Sequence, residues 1–269
     1  MNEASEVVSR QELIVDGRKL VLRQNEARSA TSLLLLHGAW TSAKLWEQQE
    51  RKLSRSHHVI IPELPGHGDS EPCPAPQHFD DLLRVLQRLC EQLERELVLV
   101  AQGLGAALAL DLAWRHPQRI RALVLVACPF RFAFSPLLLA QLEKGSAAFA
   151  SLLRELCFAP QHNARLSEKL LHPSSMPSLE VCRADFFACS SWSAGRGLRR
   201  MQVPSLIIAG RQDGLVPWPQ CEALAMELSG SSIEIIEDAA HFPMLEQAQR
   251  VNELIASFAS TRGNERRAS

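Results

Sequence analysis

The chain has 269 residues, and its 29 Lys and Arg nearly cancel 30 Asp and Glu, for a formal charge of −1. That balance excludes the broad basic face used to grip nucleic acid, and the basic runs Arg196–Arg200 and Arg262–Arg267 are short. An apolar share of 46% with 22% charged residues suits a globular protein with a sizeable core. No uncharged stretch reaches the roughly 18 residues of a membrane span; Leu97–Leu110 comes nearest and holds Gln102, Gly103 and Gly105. The first residues, Met-Asn-Glu-Ala-Ser-Glu, are acidic where a secretory signal is basic and then apolar. A soluble cytoplasmic protein with no membrane partner is therefore expected. The seven cysteines, at 73, 90, 128, 157, 182, 189 and 221, show neither metal-ligand nor redox-pair spacing. Reduced thiols and no metal site are the expectation.

Strands and helices alternate along most of the chain. Glu12–Val15 and Lys19–Arg23 flank Asp16-Gly17, a hairpin signal. Ser32–Leu36, His58–Ile61, Leu97–Val100 and Arg121–Ala127 are short apolar runs, the pattern of strands buried on both faces. Between Asp80 and Glu96 the apolar positions 82, 83, 86, 89, 90 and 93 keep helical spacing, and Gly103–Arg115 reads as a helix of small residues. Residues 130–200 break the rhythm with Phe, Leu and Ser in several short helical stretches. Alternation returns with strand Ser205–Ala209, helix Pro219–Leu228, strand Ser232–Glu237 and helix Glu246–Phe258. The expected fold is α/β, a mainly parallel sheet with helices on both faces. Its core is residues 1–129 and 201–260, with 130–200 a helical cap over the carboxyl ends of the strands. An unstructured tail is expected over 261–269.

Four motifs occur in order: His37-Gly38-Ala39-Trp40, Pro65-Gly66-His67-Gly68-Asp69-Ser70, Gly210-x-x-Asp213-x-x-Val216-Pro217 and His241-Phe242-Pro243-Met244-Leu245-Glu246. In this arrangement, over residues 20 to 258, the chain resembles the α/β-hydrolases. It is most similar to their small esterase and C–C hydrolase branch, which includes biotin-pathway methylesterases and menaquinone-pathway synthases. The resemblance implies a triad in the chain order Ser, Asp or Glu, His. Asp213 and His241 fall at the acid and base positions. A carboxylate on one imidazole nitrogen fixes the tautomer and leaves the other nitrogen free to take a proton.

The nucleophile position is empty of chemistry. Where the family has small-x-Ser-x-Gly, this chain reads Ala101-Gln102-Gly103-Leu104-Gly105, and glycine cannot form an acyl-enzyme. The resemblance also implies an oxyanion hole built from the backbone N–H groups of Ala39 and Leu104, which needs no serine side chain. Aminoacrylate hydrolases are similar proteins in which alanine can occupy this position.

Two functional readings follow. In the first, a His241–Asp213 dyad activates water against a small carbonyl, ester or enamine-type substrate, without a covalent intermediate. In the second, the chain is a silent relative whose pocket binds a small ligand or a partner. A lesser alternative makes Cys128, at the end of the strand Arg121–Ala127, a relocated thiolate nucleophile. Trp40, Gln102, Cys128 and Trp192 are the candidates for contacting substrate, while His67 and Asp185 read as turn and helix residues. No cofactor is expected, because Gly103-Leu104-Gly105 lacks the third glycine of a dinucleotide fingerprint. The sequence leaves the oligomeric state open.

Overall fold

The structure is a computed structural model that describes residues 8–27, 31–73, 77–93, 95–172, 174–195 and 197–265. Asp16 and Gly17 adopt positive φ values of 53° and 76°, as a two-residue hairpin turn requires. They join β1 (Ser9–Val15) to β2 (Arg18–Gln24), with Val15 opposite Arg18. β3 (Thr31–Leu36), β4 (His58–Pro62), β5 (Glu96–Gln102), β6 (Ile120–Val126), β7 (Ser205–Gly210) and β8 (Ser231–Ile236) complete one eight-stranded sheet. The strand order is β1-β2-β4-β3-β5-β6-β7-β8. Only β1–β2 and β2–β4 pair antiparallel. β5 and β6 lie inside the sheet, buried along nearly their whole length. Their unbroken Val, Leu and Ala runs reflect helices covering both faces.

α1 (Glu47–Leu53), α2 (Phe79–Gln92) and α3 (Leu104–Arg115) belong to the first half of the chain. α2 ends at Gln92, one residue before Leu93, the last position of its apolar spacing, and Glu96 already pairs with Thr31 as the first residue of β5. α3 sits close to the sheet: a Cβ on Gly105 would lie 2.4 Å from the His37 carbonyl oxygen and 2.7 Å from that of Leu36. Only glycine lets the first turn of α3 cross the end of β3 at that distance.

Between β6 and β7 lie α4 (Pro136–Glu143), α5 (Ser146–Cys157), α6 (Asn163–Leu170) and α7 (Leu179–Ser191). The two ends of this insertion meet in an antiparallel bridge between Arg131 and Ser193. After β7 come α8 (Trp218–Glu227), α9 (Pro243–Glu246) and α10 (Ala248–Glu265). The single helix expected over Glu246–Phe258 is thus two, broken at Gln247. The helix also continues past Thr261 to Glu265, where the sequence suggested an unstructured tail; 266–269 lie outside the described residues. No described helix is long and apolar enough to cross a membrane.

The insertion is tied to the loops after β7 and β8 by backbone groups. The last carbonyls of α5 have no partner within the helix. That of Leu156 accepts from Gly214 N–H at 2.9 Å, and that of Cys157 from His241 N–H at 3.0 Å. Glu246 completes the tie, accepting Ala159 N–H on one carboxylate oxygen (2.7 Å) and Ala240 N–H on the other (2.8 Å). Burial, only partly offset by these two N–H groups, raises the carboxyl of Glu246 above its ordinary value. Glu246→Ala is expected to destabilise the chain by about 2–4 kcal/mol in urea unfolding, since two buried N–H groups lose a charged acceptor. A loss below about 0.5 kcal/mol would show that the tie carries no weight.

Candidate active site

The turn between β5 and α3 places Gly103 at φ 53° and ψ −117°. A side chain in so sparsely populated a region costs about 1–3 kcal/mol, and glycine avoids that strain. The Gly103 N–H donates to Val126 O at 3.0 Å, which holds the turn against the end of β6. A Cβ built on Gly103 would lie 3.7 Å from His241 Nε2, at ordinary contact distance. The elbow geometry is therefore kept, while the side chain it would present is missing.

His241 follows β8, and Asp213 follows β7. The His241 Nδ1 lies 2.8 Å from Asp213 Oδ2, and both side chains are buried. The other carboxylate oxygen of Asp213 accepts the N–H groups of Leu215 (2.9 Å) and Val216 (2.8 Å). With Nδ1 facing an acceptor-only carboxylate, the ring proton of a neutral His241 sits on Nδ1, and Nε2 becomes an acceptor. A close approach of the two loops makes this pairing possible: a Cβ on Gly210 would fall 2.0 Å from Ala240 O.

Nε2 already has a partner. The side-chain amide nitrogen of Gln102 lies 2.7 Å from it and donates an N–H to the imidazole lone pair. Gln102 is buried, and its Oε1 has no hydrogen-bond partner among the described residues. That oxygen packs on Gly38, where a Cβ would come within 2.0 Å of it.

Ala39, Leu104, Gly103 and His241 share the wall of one small pocket. Neither Ala39 nor Leu104 donates its N–H to a partner among the described residues. The rest of the lining is aromatic and aliphatic, with Trp40, Phe132, Phe134, Leu153 and Val216 prominent, and among the described residues no Asp, Glu, Lys or Arg side chain contributes. The cavity measures about 20 Å³, room for about one water.

Trp40 is held from the insertion. Its backbone has φ +62°, its N–H donates to Asp185 Oδ2 at 2.9 Å, and its indole N–H donates to Cys182 O at 3.0 Å. The same Asp185 oxygen lies 3.0 Å from His67 Nε2, while His67 Nδ1 lies 3.0 Å from Pro65 O. Both ring nitrogens thus face acceptors, so His67 is an imidazolium paired with Asp185 in the interior. Burial pulls the His67 pKa down, but the Asp185 carboxylate, together with the Pro65 carbonyl and the charge of Glu63, leaves it raised above the ordinary histidine value. Its neighbour His37, 4.9 Å away between ring centroids, is neutral: Nδ1–H donates to Gly38 O, and Nε2 accepts Leu64 N–H. Burial, then the charge of His67, holds His37 well below its usual range.

Three residues expected to touch substrate do not line the pocket. Gln102 reaches His241 instead of the cavity. Trp192 turns its indole N–H to Asp111 Oδ1 at 3.2 Å and packs on Phe79 and Phe132. Cys128 is fully buried, and burial followed by the nearby Asp111 pushes its thiol far above the ordinary cysteine value. It has none of the exposure or electropositive surroundings that make a reactive thiolate. Its place at the end of β6 is where the strand order suggested, but its side chain points into the core; the pocket wall carries Cys189 and Cys157 instead. The sequence reading also missed the Asp185–His67 pair. A signal was present: Asp185 is one of only two charged residues in Val181–Cys189, an otherwise mostly apolar helical run.

A parallel sheet with an elbow after β5 and an acid and a histidine after its last two strands defines an α/β-hydrolase architecture. The chain belongs to the Alpha/beta hydrolase family, which matches residues 33–254. Among curated proteins it is similar to the pimeloyl-[acyl-carrier protein] methyl ester esterase of Vibrio cholerae, at 25% identity over 85% of this chain and 94% of that one. The protein of the same name from Neisseria meningitidis is 27% identical over 88% of this chain and 98% of the relative. Among solved structures, a thermophilic esterase superposes with a TM-score of 0.84 at 25% identity, covering 96% of this chain and 99% of the other. The enol-lactonase of Burkholderia xenovorans shares the fold, with a TM-score of 0.86 at 21% identity over 93% of this chain and 100% of the other.

The Asp185–His67 pair predicts a pH-dependent stability. A histidine whose folded pKa is raised contributes fully below its unfolded value, about 6.5, and loses that contribution as pH rises through the folded value. The stability advantage of the wild type over Asp185→Asn in thermal melts should therefore shrink as pH rises above about 6.5. A difference that stays constant from acid to alkaline pH would contradict the assignment of charge to His67.

Proposed function

We propose that the chain hydrolyses a small, uncharged ester, carbonyl or enamine-type substrate by water activated at the His241–Asp213 dyad, with no acyl-enzyme. The observation that carries this reading is the intact dyad, buried and oriented by two backbone N–H groups, beside an elbow with no nucleophile. The lining supports an apolar acyl group, because among the described residues it holds no Lys or Arg to meet a carboxylate. The relatives named as esterases support ester hydrolysis as the reaction class.

In the reaction, a water held at the space beside Gly103 gives its proton to His241 Nε2 as its oxygen bonds to the carbonyl carbon. The carbonyl π pair moves to oxygen, and the N–H groups of Ala39 and Leu104 receive the charge. Collapse of the tetrahedral intermediate expels the alcohol or amine, which takes the proton back from His241. Asp213 keeps the ring in the tautomer that can accept from water and stabilises the imidazolium that forms.

A silent ligand binder is the second reading, favoured by one observation: the Gln102 amide on Nε2 occupies the proton-accepting position of the ring. Hydrolysis of short activated esters separates the two. His241→Ala and Asp213→Asn should each lower kcat by about 10²-fold or more, with Cys128→Ser near the wild type. Turnover that survives His241→Ala would overturn the dyad reading. Ligand affinity that persists in Asp213→Asn, in a wild type without turnover, would favour the binder.

A further inference from the structure

The missing serine leaves His241 without the hydroxyl that an acyl-enzyme mechanism would place on Nε2, yet that nitrogen is not free. Gln102 immediately precedes Gly103, at the end of β5, and its amide nitrogen stands 2.7 Å from Nε2. A neutral imidazole has a single in-plane lone pair once Nδ1 carries the proton. With Asp213 fixing that proton, the Gln102 N–H takes the whole accepting capacity of the ring. We propose that Gln102 is a latch that stands in for the lost hydroxyl: its carboxamide occupies the proton-accepting position of His241 and has to leave before the base can act.

Three features of the surroundings fit a held but releasable amide. The bond is buried and joins two neutral groups, so it is a modest one in net terms. The other end of the amide makes no polar contact, because Oε1 has no hydrogen-bond partner among the described residues and lies beside Gly38, whose missing side chain makes the room. Finally, Nε2 lies close to Gly103, where a Cβ would stand 3.7 Å away. Water or a side chain entering there competes for the same lone pair. The latch rests on His241 being the base of the proposed function. It adds a distinct consequence: restoring the nucleophile takes two changes, a hydroxyl at 103 and removal of the amide at 102. A serine at 103 alone would place its hydroxyl one bond beyond that Cβ and meet a lone pair already engaged.

The experiment compares Gly103→Ser with Gln102→Ala/Gly103→Ser and Gln102→Leu/Gly103→Ser, each treated with a fluorophosphonate. Labelling forms a bond from Ser Oγ to phosphorus and expels fluoride, and the hydroxyl proton passes to His241 Nε2. Mass spectrometry reads the rate. Both double variants should label about tenfold faster than Gly103→Ser, and adding His241→Ala should abolish labelling in each. The leucine variant preserves the side-chain volume where alanine would leave a cavity, and thermal melts verify that each chain is folded. Gly103→Ser labelling as fast as the folded double variants would overturn the latch alone. No labelling in any folded variant would overturn the base assignment and the latch with it. A second readout needs no activity: the ¹⁵N resonance of His241 Nε2 in the wild-type chain should move on Gln102→Leu, and an unchanged resonance would contradict the latch.

Discussion

The site depends on one buried hydrogen bond, between Asp213 Oδ2 and His241 Nδ1. Its two residues are carried by separate loops, one after β7 and one after β8, and nothing in either loop alone would bring them together. Parallel pairing of β7 with β8 sets the loops side by side, and glycine at 210 lets them touch. The carbonyls of Leu156 and Cys157 then hold each loop from the insertion, and Glu246 grips the backbone on both sides of that contact. Burying a carboxylate is costly unless its oxygens are paired. Asp213 meets that condition with three donors, and the third is the imidazole. The sheet, the insertion and the loop backbone thus converge on the orientation of a single ring.

A second buried charge does comparable work for the opposite wall. Asp185 belongs to the insertion, whereas Trp40 and His67 belong to the core. Their shared oxygen holds the positive-φ backbone at Trp40, next to Ala39 in the pocket wall. Breaking a buried pair is expensive because the remaining charge stays uncompensated. The insertion thus fixes both loops: its α7 carboxylate holds the backbone at Trp40, and its α5 carbonyls hold the loops that carry Asp213 and His241.

Much of this architecture is legible in the sequence where the cause is local. The Asp16-Gly17 hairpin, the buried runs of β3, β5 and β6, and the small-residue face of α3 all follow from short-range pattern. The elbow and the acid and histidine positions were readable because their motifs lie in order between identifiable elements. The Gln102 bond to His241 was not, since it spans 139 positions and leaves no periodic trace. The Asp185–His67 pair, 118 positions apart, escaped for the same reason. Cys128 misled because position at a strand end locates a backbone, and the side-chain direction there is set by packing. The break at Gln247 escaped because apolar spacing alone does not register where the backbone leaves the helix.

Under the function proposed above, this chain differs from a serine esterase in forming no covalent intermediate. Intact-protein mass spectrometry of the wild type, quenched during a single turnover of a short activated ester, tests that difference most directly. Product acid should accumulate while the mass of the chain stays unchanged at every time point. A transient increase equal to the acyl group, or no product at all from a folded chain, would contradict water activation by His241.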